Sequence, residues 1–346
     1  ITAREIFDSR GIPTIQCEII LDTHHTILAS VPSGLSRGTH EAYELRDQDP
    51  QRLNGKGVLK ACENIISLIG PQIINKRLSA EEIDAIMHEI DPSAQWQTLG
   101  ANATLAVSIA AHRAEALLDN TSLYELLAGK IGSETIAMPF PLANILNGGL
   151  HGKNGLDIQE FMVMPTESLS FRHSMECVAT IASILRNLLE INGYPTAVGD
   201  EGGFAPVLPS DTYALDLLAT AIEEADKNYG YKALIGLDVA ASRFYDPEAQ
   251  LYFLQGAQFT KEKLIDWYVE LTRTYPIIYL EDPFHEDDWS SWVSLMERVG
   301  SSVQIVGDDL TATNPQRIAQ AARMVALNTV IIKPNQIGTV SQTIEA

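Results

Sequence analysis

The stretch Ile277-Ile278-Tyr279-Leu280-Glu281-Asp282-Pro283-Phe284 is a short apolar run that stops on a carboxylate. Runs of the same build recur around it: Phe140–Asn147, Leu156–Val163, Leu234–Asp238, Val303–Asp308 and Thr329–Lys333. Most are followed by a stretch with helical spacing, among them Asp211–Lys227, Lys261–Arg273, Asp288–Val299 and Asn314–Ala322. Alternation of continuous apolar strands with helices predicts a parallel sheet covered by helices. Closing such a sheet into a barrel takes eight strands and about 250 residues. The stretch from Pro139 to Ala346 shows six runs, so the expectation is a (β/α)8 barrel that stops before its last two strands.

Upstream the pattern changes. Ile12–Leu21 and Thr26–Val31 are short β-branched runs that predict a small antiparallel sheet. Ser79-Ala80-Glu81-Glu82 is a capping box ahead of Ile83, Ile86, Met87 and Ile90, and Ala101–Leu118 reads as a second, amphipathic helix. Gly and polar residues at Lys130–Ala137 mark a soft boundary. The expected organisation is an α+β domain over residues 1–133 and a barrel domain over 134–346.

Composition narrows the function classes. With 24 Lys+Arg against 45 Asp+Glu the formal charge is −21, a surface that repels nucleic-acid phosphates and anionic lipid. An anionic substrate would need a local cation, and metal ions are the natural supply. No apolar run reaches the roughly 18 residues of a membrane span. Cys17, Cys62 and Cys177 are few, odd in number and far apart, which suits buried thiols in a reducing cytoplasm. Gly55-Lys56-Gly57 and Ser33-Gly34-Leu35-Ser36-Arg37-Gly38 are glycine-rich, but lack the remaining residues of a nucleotide-binding loop.

Active sites of barrels lie at the carboxyl ends of the strands. Here successive runs end at Asp238, Glu281, Asp308 and Lys333. One aspartate after an apolar run is ordinarily a helix cap; three carboxylates and a lysine at successive ends point to a hard-oxygen Mg2+ site facing a base. Lys333 follows Val330, Ile331 and Ile332, a setting that predicts partial desolvation and a lowered preference for the charged form. Gly199-Asp200-Glu201-Gly202-Gly203 places a carboxylate on a tight loop, and Asp157-Ile158-Gln159-Glu160 puts a polar pair at a strand end. His151 follows the glycine-bent Asn147-Gly148-Gly149-Leu150, whereas His24, His25, His88 and His112 read as surface or helix-face residues. Beyond Glu281, the acidic run to Asp288 reads as mostly solvated loop and helix N-terminus.

Taken in order, Phe7-Asp8-Ser9-Arg10-Gly11, VPSGLSRGTHEA, GKGV, LGANATLAVS, NILNGG, IQEFM, VGDEGGFAP, IGLDVAAS, EDPFHEDDW, VGDDLTATNP and IIKPNQIGT resemble the enolase family from end to end. The resemblance implies Mg2+ ligands at Asp238, Glu281 and Asp308, the first of the Asp308-Asp309 pair. It implies Lys333 as the base that takes the C2 proton of 2-phosphoglycerate, and Glu201, assisted by Glu160, as the acid that expels the C3 hydroxyl. Gln159 and His151 would line the substrate pocket, while the loop of Ser36 would close over it and help to hold a second Mg2+. An enediolate held by Mg2+ opposite a lysine base is the pattern of this superfamily. The product would be phosphoenolpyruvate, made by a cytoplasmic homodimer or ring of dimers whose relatives also occur on cell surfaces. This sequence departs from the family at Ile12, Leu35 and Arg37, and the family's late phosphate-binding motif lies past Ala346. Two other readings are a different lyase or racemase of the superfamily and a non-catalytic surface-binding or scaffold protein. Glu201 and the Ser36 loop disfavour the first, and the filled catalytic positions disfavour the second.

Overall fold

A computed structural model describes residues 1–22, 25–34, 37–133, 135–167 and 170–346. His24, Leu35 and Ser36 therefore lie outside the described residues. The chain divides into two units: Ile1–Ile136 with Thr311–Ile318 and Ile331–Ala346, and Ala137–Leu310 with Ala319–Val330.

In the first unit β1 (Thr2–Phe7), β2 (Pro13–Ile20) and β3 (Thr26–Ser30) form an antiparallel meander. Asp8 sets the first reversal: its Oδ1 accepts from the N–H groups of Arg10 and Ile12 at 2.9 and 2.8 Å. Gly11, at φ +72°, takes the left-handed position of that turn. Ile12 serves the turn through its backbone, so the departure there leaves the turn intact. Ile15, Cys17 and Ala29 bury one face of the sheet in the core that also holds Ala103, Ala106, Val107 and Ala110 of the helix Ala101–Leu118.

The helix Ala80–Ile90 starts with the expected capping box, Glu82 N–H donating to Ser79 Oγ at 3.2 Å and Ser79 N–H to Glu82 Oε2 at 2.7 Å. Ala101–Leu118 departs from the amphipathic reading. Nearly every residue from Ala101 to His112 is buried, because small alanines let neighbours approach on all sides. His112 is accordingly a core residue at 0% exposure, with Nδ1 2.9 Å from the Ser108 carbonyl oxygen. The late segment of this unit holds the helical turn Pro334–Ile337 and the helix Val340–Glu345. Trp96 Nε1 donates to the Ile337 carbonyl and Thr104 Oγ1 to the Gly338 carbonyl, each at 2.8 Å. Gly338 is obligatory: its φ is +102°, and a Cβ there would run into the Trp96 indole.

The second unit is built on β4 (Ala143–Asn147), β5 (Glu160–Pro165) and β6 (Ala233–Asp238), then β10 (Ile277–Glu281), β11 (Gln304–Gly307) and β12 (Thr329–Val330). A small meander of β7 (Tyr245–Asp246), β8 (Leu251–Leu254) and β9 (Ala257–Phe259) intervenes in the chain. The main sheet has the order β12-β11-β10-β6-β5-β4. It is the open sheet of a TIM-type α/β barrel that does not close within these residues.

Four strands, β6, β10, β11 and β12, run parallel as expected, whereas β5 runs antiparallel to both β4 and β6. Two connections cause this. The link from β4 to β5 holds only the helical turn Gly149–Gly152, too little for a crossover. Between β5 and β6 the chain goes out along the helix Phe171–Ile191 and back along Asp211–Tyr229. Other boundaries shift too. Phe140 lies outside β4 and is 69% exposed, and β12 ends at Val330, short of Lys333.

Helices cover the sheet through apolar residues three and four apart, such as Cys177, Val178, Ile181, Leu185 and Leu189. They share a core with Phe161, Val163, Ile235, Leu237, Leu280 and Ile305 of the strands. Burying one such side chain contributes about 1.5–3 kcal/mol. Among the described residues no helix is long and apolar enough to cross a membrane, and Cys17, Cys62 and Cys177 are buried and unbridged.

Candidate active site

Reversal of β5 puts its first residue at the edge where the parallel strands end. The register pairs Asn147 with Glu160, Glu160 with Asp238 and Asp238 with Glu281, a row across four adjacent strands. Glu160 thus shares an edge with the strand-end carboxylates even though it begins its strand. Asp308 lies two residues beyond Val306, the partner of Glu281 on β11. Asp238, Glu281 and Asp308 are 7%, 6% and 8% exposed, so their charges are withdrawn from water.

Asp238 and Glu281 are each oriented by a neighbour. Asp238 accepts from Gln159 Nε2 and from the Ala240 N–H, both at 3.0 Å. Arg243 Nη1 in turn donates to Gln159 Oε1 at 2.8 Å, fixing which end of the amide faces Asp238. Tyr279, two residues before Glu281 and on the same face of β10, donates its hydroxyl to Glu281 Oε2 at 2.7 Å. Burial first, then the charges of Glu281, Asp238 and Asp308, push the Tyr279 phenol far up, so it stays a donor.

Asp282 was not anticipated. The run after Glu281 is not mostly solvated: Asp282, Phe284, Glu286 and Asp288 are at most 6% exposed. Asp282 sits at φ 42° and accepts from the N–H groups of Asp308 and Asp309 at 3.1 and 2.8 Å. It thereby fixes the turn that presents Asp308. Burial, followed by the charges of Asp309, Asp308 and Asp238, raises its pKa well above the usual carboxylate range. Carboxylate oxygens of Asp238, Glu281 and Asp282 lie within 4.8 Å of one another, and so do those of Asp282, Asp308 and Asp309. So many buried anionic oxygens repel one another strongly unless a cation joins them. An all-oxygen donor set fits Mg2+.

A second group forms on the β4 side. His151 Nδ1 is 3.2 Å from Glu160 Oε1 and 3.2 Å from Glu201 Oε2, near enough for ion pairs but without aligned hydrogen bonds. Burial disfavours the imidazolium most; the two glutamates outweigh it and raise His151 to about 9. Burial also pushes Glu160 up to about 8, helped by Glu201 and Asp238 and opposed by His151. The Glu201 side chain is 34% exposed, against 15% for Glu160.

The glycines around Glu201 let its loop lie directly on β4. Gly199 N–H donates to the Gly203 carbonyl at 2.7 Å, Phe204 N–H to Ile145 at 2.8 Å, and Asn147 N–H to Phe204 at 2.8 Å. A Cβ on Gly203 would come within 2.5 Å of Asn147 Oδ1. Asn144 Nδ2 donates to Glu201 Oε2 at 3.4 Å.

Residues 1–127 match the family model described as the enolase N-terminal domain, and residues 135–346 match the enolase C-terminal TIM barrel domain. The chain belongs to the enolase family. Enolases are in general Mg2+-dependent, in keeping with the oxygen-rich donor set. The structure therefore brings together His151, Gln159, Glu160, Glu201, Asp238, Glu281 and Asp308 in the barrel unit of this enolase-family chain. Lys333 belongs to the other unit, and Ser36 lies outside the described residues. The expected desolvation of Lys333 is not met: Ile332 is 44% exposed and Lys333 is exposed, because both follow the end of β12. Asp282, Arg243, Tyr279 and Asn144 join the site without having been anticipated. For Asp282 and Tyr279 the signal was available in their adjacency to Glu281 on β10.

Proposed function

We propose that the chain catalyses the reversible dehydration of 2-phospho-D-glycerate to phosphoenolpyruvate in glycolysis and gluconeogenesis, as a carbon–oxygen lyase. The observation that carries this reading is the register row Glu160–Asp238–Glu281, flanked by His151 and Glu201. It gathers carboxylates that could hold a metal ion, and beside them the Glu160 and Glu201 pair, at one edge. Lys333 is assigned the removal of the C2 proton. Glu201, backed by Glu160, delivers the proton that lets the C3 hydroxyl leave as water. A carboxyl pair that holds a proton near neutral pH suits that acid role. His151 balances the charge of both glutamates, and Gln159 orients Asp238 against the substrate.

Asp238, Glu281 and Asp308 would hold Mg2+, with Asp282 fixing the turn of Asp308. Two Mg2+ ions, when bound, supply the positive charge that stabilises the substrate carboxylate as C2 loses its proton. A cytoplasmic location and assembly as a homodimer complete the reading. The test is formation of phosphoenolpyruvate from 2-phosphoglycerate, followed by ultraviolet absorbance with Mg2+ and with a chelator. Turnover that needs Mg2+ supports the reading, and absence of turnover with Mg2+ refutes it.

A further inference from the structure

The geometry points to Thr313 as a positioning residue for Lys333, acting through the lysine's backbone. Ala312 and Thr313 both lie in the left-handed region, at φ +46° and +53°. For a β-branched residue this is an outlier that persists only when its surroundings enforce it. Thr313 is fully buried, and its hydroxyl is used twice. Oγ1 accepts from the Lys333 N–H at 2.8 Å and donates to Gln336 Oε1 at 2.8 Å. Gln336 closes the ring, its N–H donating to the Lys333 carbonyl at 2.9 Å, while its own carbonyl accepts from the Ala42 N–H at 2.8 Å.

Both backbone groups of Lys333 are thus pinned by one buried pair. Pro334 adds a third constraint by holding the preceding residue extended, and Lys333 has φ −125° and ψ 104°. Lys333 is exposed, and its backbone conformation sets the point and direction from which its side chain starts. Glycine or asparagine would take the left-handed conformation with less strain. Neither carries a hydroxyl that can accept and donate at this spot, which accounts for a threonine here.

The inference rests on Lys333 being the base of the proposed reaction. Its test uses the full chain with Thr313→Val, which keeps the shape, Thr313→Gly, which relieves the strain, and Thr313→Ser, which keeps the hydroxyl. Amide hydrogen exchange at Lys333 reads the latch without any substrate. It should speed up about tenfold or more in the Val and Gly variants and stay near the parent rate in Ser. With 2-phosphoglycerate, kcat should fall roughly ten- to a hundredfold in Val and Gly, with KM within about twofold, and Ser should restore it. Because Gly suits the backbone, a Val variant that fails to fold leaves the test standing on Gly. If the parent chain turns nothing over, the functional reading fails, and amide exchange alone decides the latch. Parent-like exchange, or parent-like kcat in an active Thr313→Gly, overturns the proposal.

Discussion

Glu160 opens β5 directly opposite Asp238, the residue that closes β6. An antiparallel strand among parallel ones therefore adds a carboxylate to the edge where the others end. The acid side and the metal side of the proposed site meet at this pair, and the charge of Asp238 is one of the influences that hold a proton on Glu160.

Asp282→Ala removes the acceptor for the Asp308 and Asp309 N–H groups. The turn then loses its definition, and Mg2+ affinity should fall about 10- to 100-fold, as for other residues that orient ligands. Isothermal titration with Mg2+ measures this directly, and unchanged affinity would show that Asp308 is placed without Asp282.

Gly203→Ala brings a methyl group to within 2.5 Å of Asn147 Oδ1 and 3.0 Å of the Leu146 N–H nitrogen. Asn147 is buried and cannot swing away, so the loop carrying Glu201 should shift. Turnover is expected to drop about a hundredfold, since misplacement by about 1 Å costs that much. Steady-state kinetics beside a melting curve checks it; full activity would show that the loop absorbs the methyl group.

The raised His151 and Glu160 make stability depend on pH with a defined sign. His151 titrates near 9 in the fold against 6.5 ordinarily, so its contribution is complete below 6.5 and lost as pH rises through 9. Glu160, raised from 4.5 to about 8, adds a cost that is absent below 4.5 and complete above 8. Both make the folded chain bind more protons than the unfolded one. Without metal, Tm should therefore decline from pH 6.5 to 9, and the slope should flatten in His151→Asn. A slope equal in the parent chain and the variant would contradict the assignment.

Much of this arrangement is legible in the sequence. Asp238 and Glu281 stand at strand ends because an apolar run stops where the edge meets solvent-facing loops, and that pattern is visible in one dimension. The direction of β5 was not visible, because an apolar run looks the same whichever way its strand points; only the length of its connections decides. The buried state of Asp282 was hidden for a related reason. Acidic clusters usually solvate, and only the fold shows that the N–H groups of Asp308 and Asp309 take the place of water at Asp282. His112 was misread because an alanine-rich helix buries all its faces, which leaves no stripe to recognise. For Lys333 the misleading signal was three apolar neighbours, which extend past the last ladder pair, Gly307 with Val330.

The most direct measurement is exchange of the C2 proton of 2-phosphoglycerate with deuterated solvent, set beside net dehydration, in Lys333→Ala and Glu201→Gln. Separate roles for base and acid predict that Lys333→Ala loses both, whereas Glu201→Gln keeps exchange and loses dehydration. Exchange persisting in Lys333→Ala, or full dehydration by Glu201→Gln, would contradict the division of labour between the lysine and the glutamates.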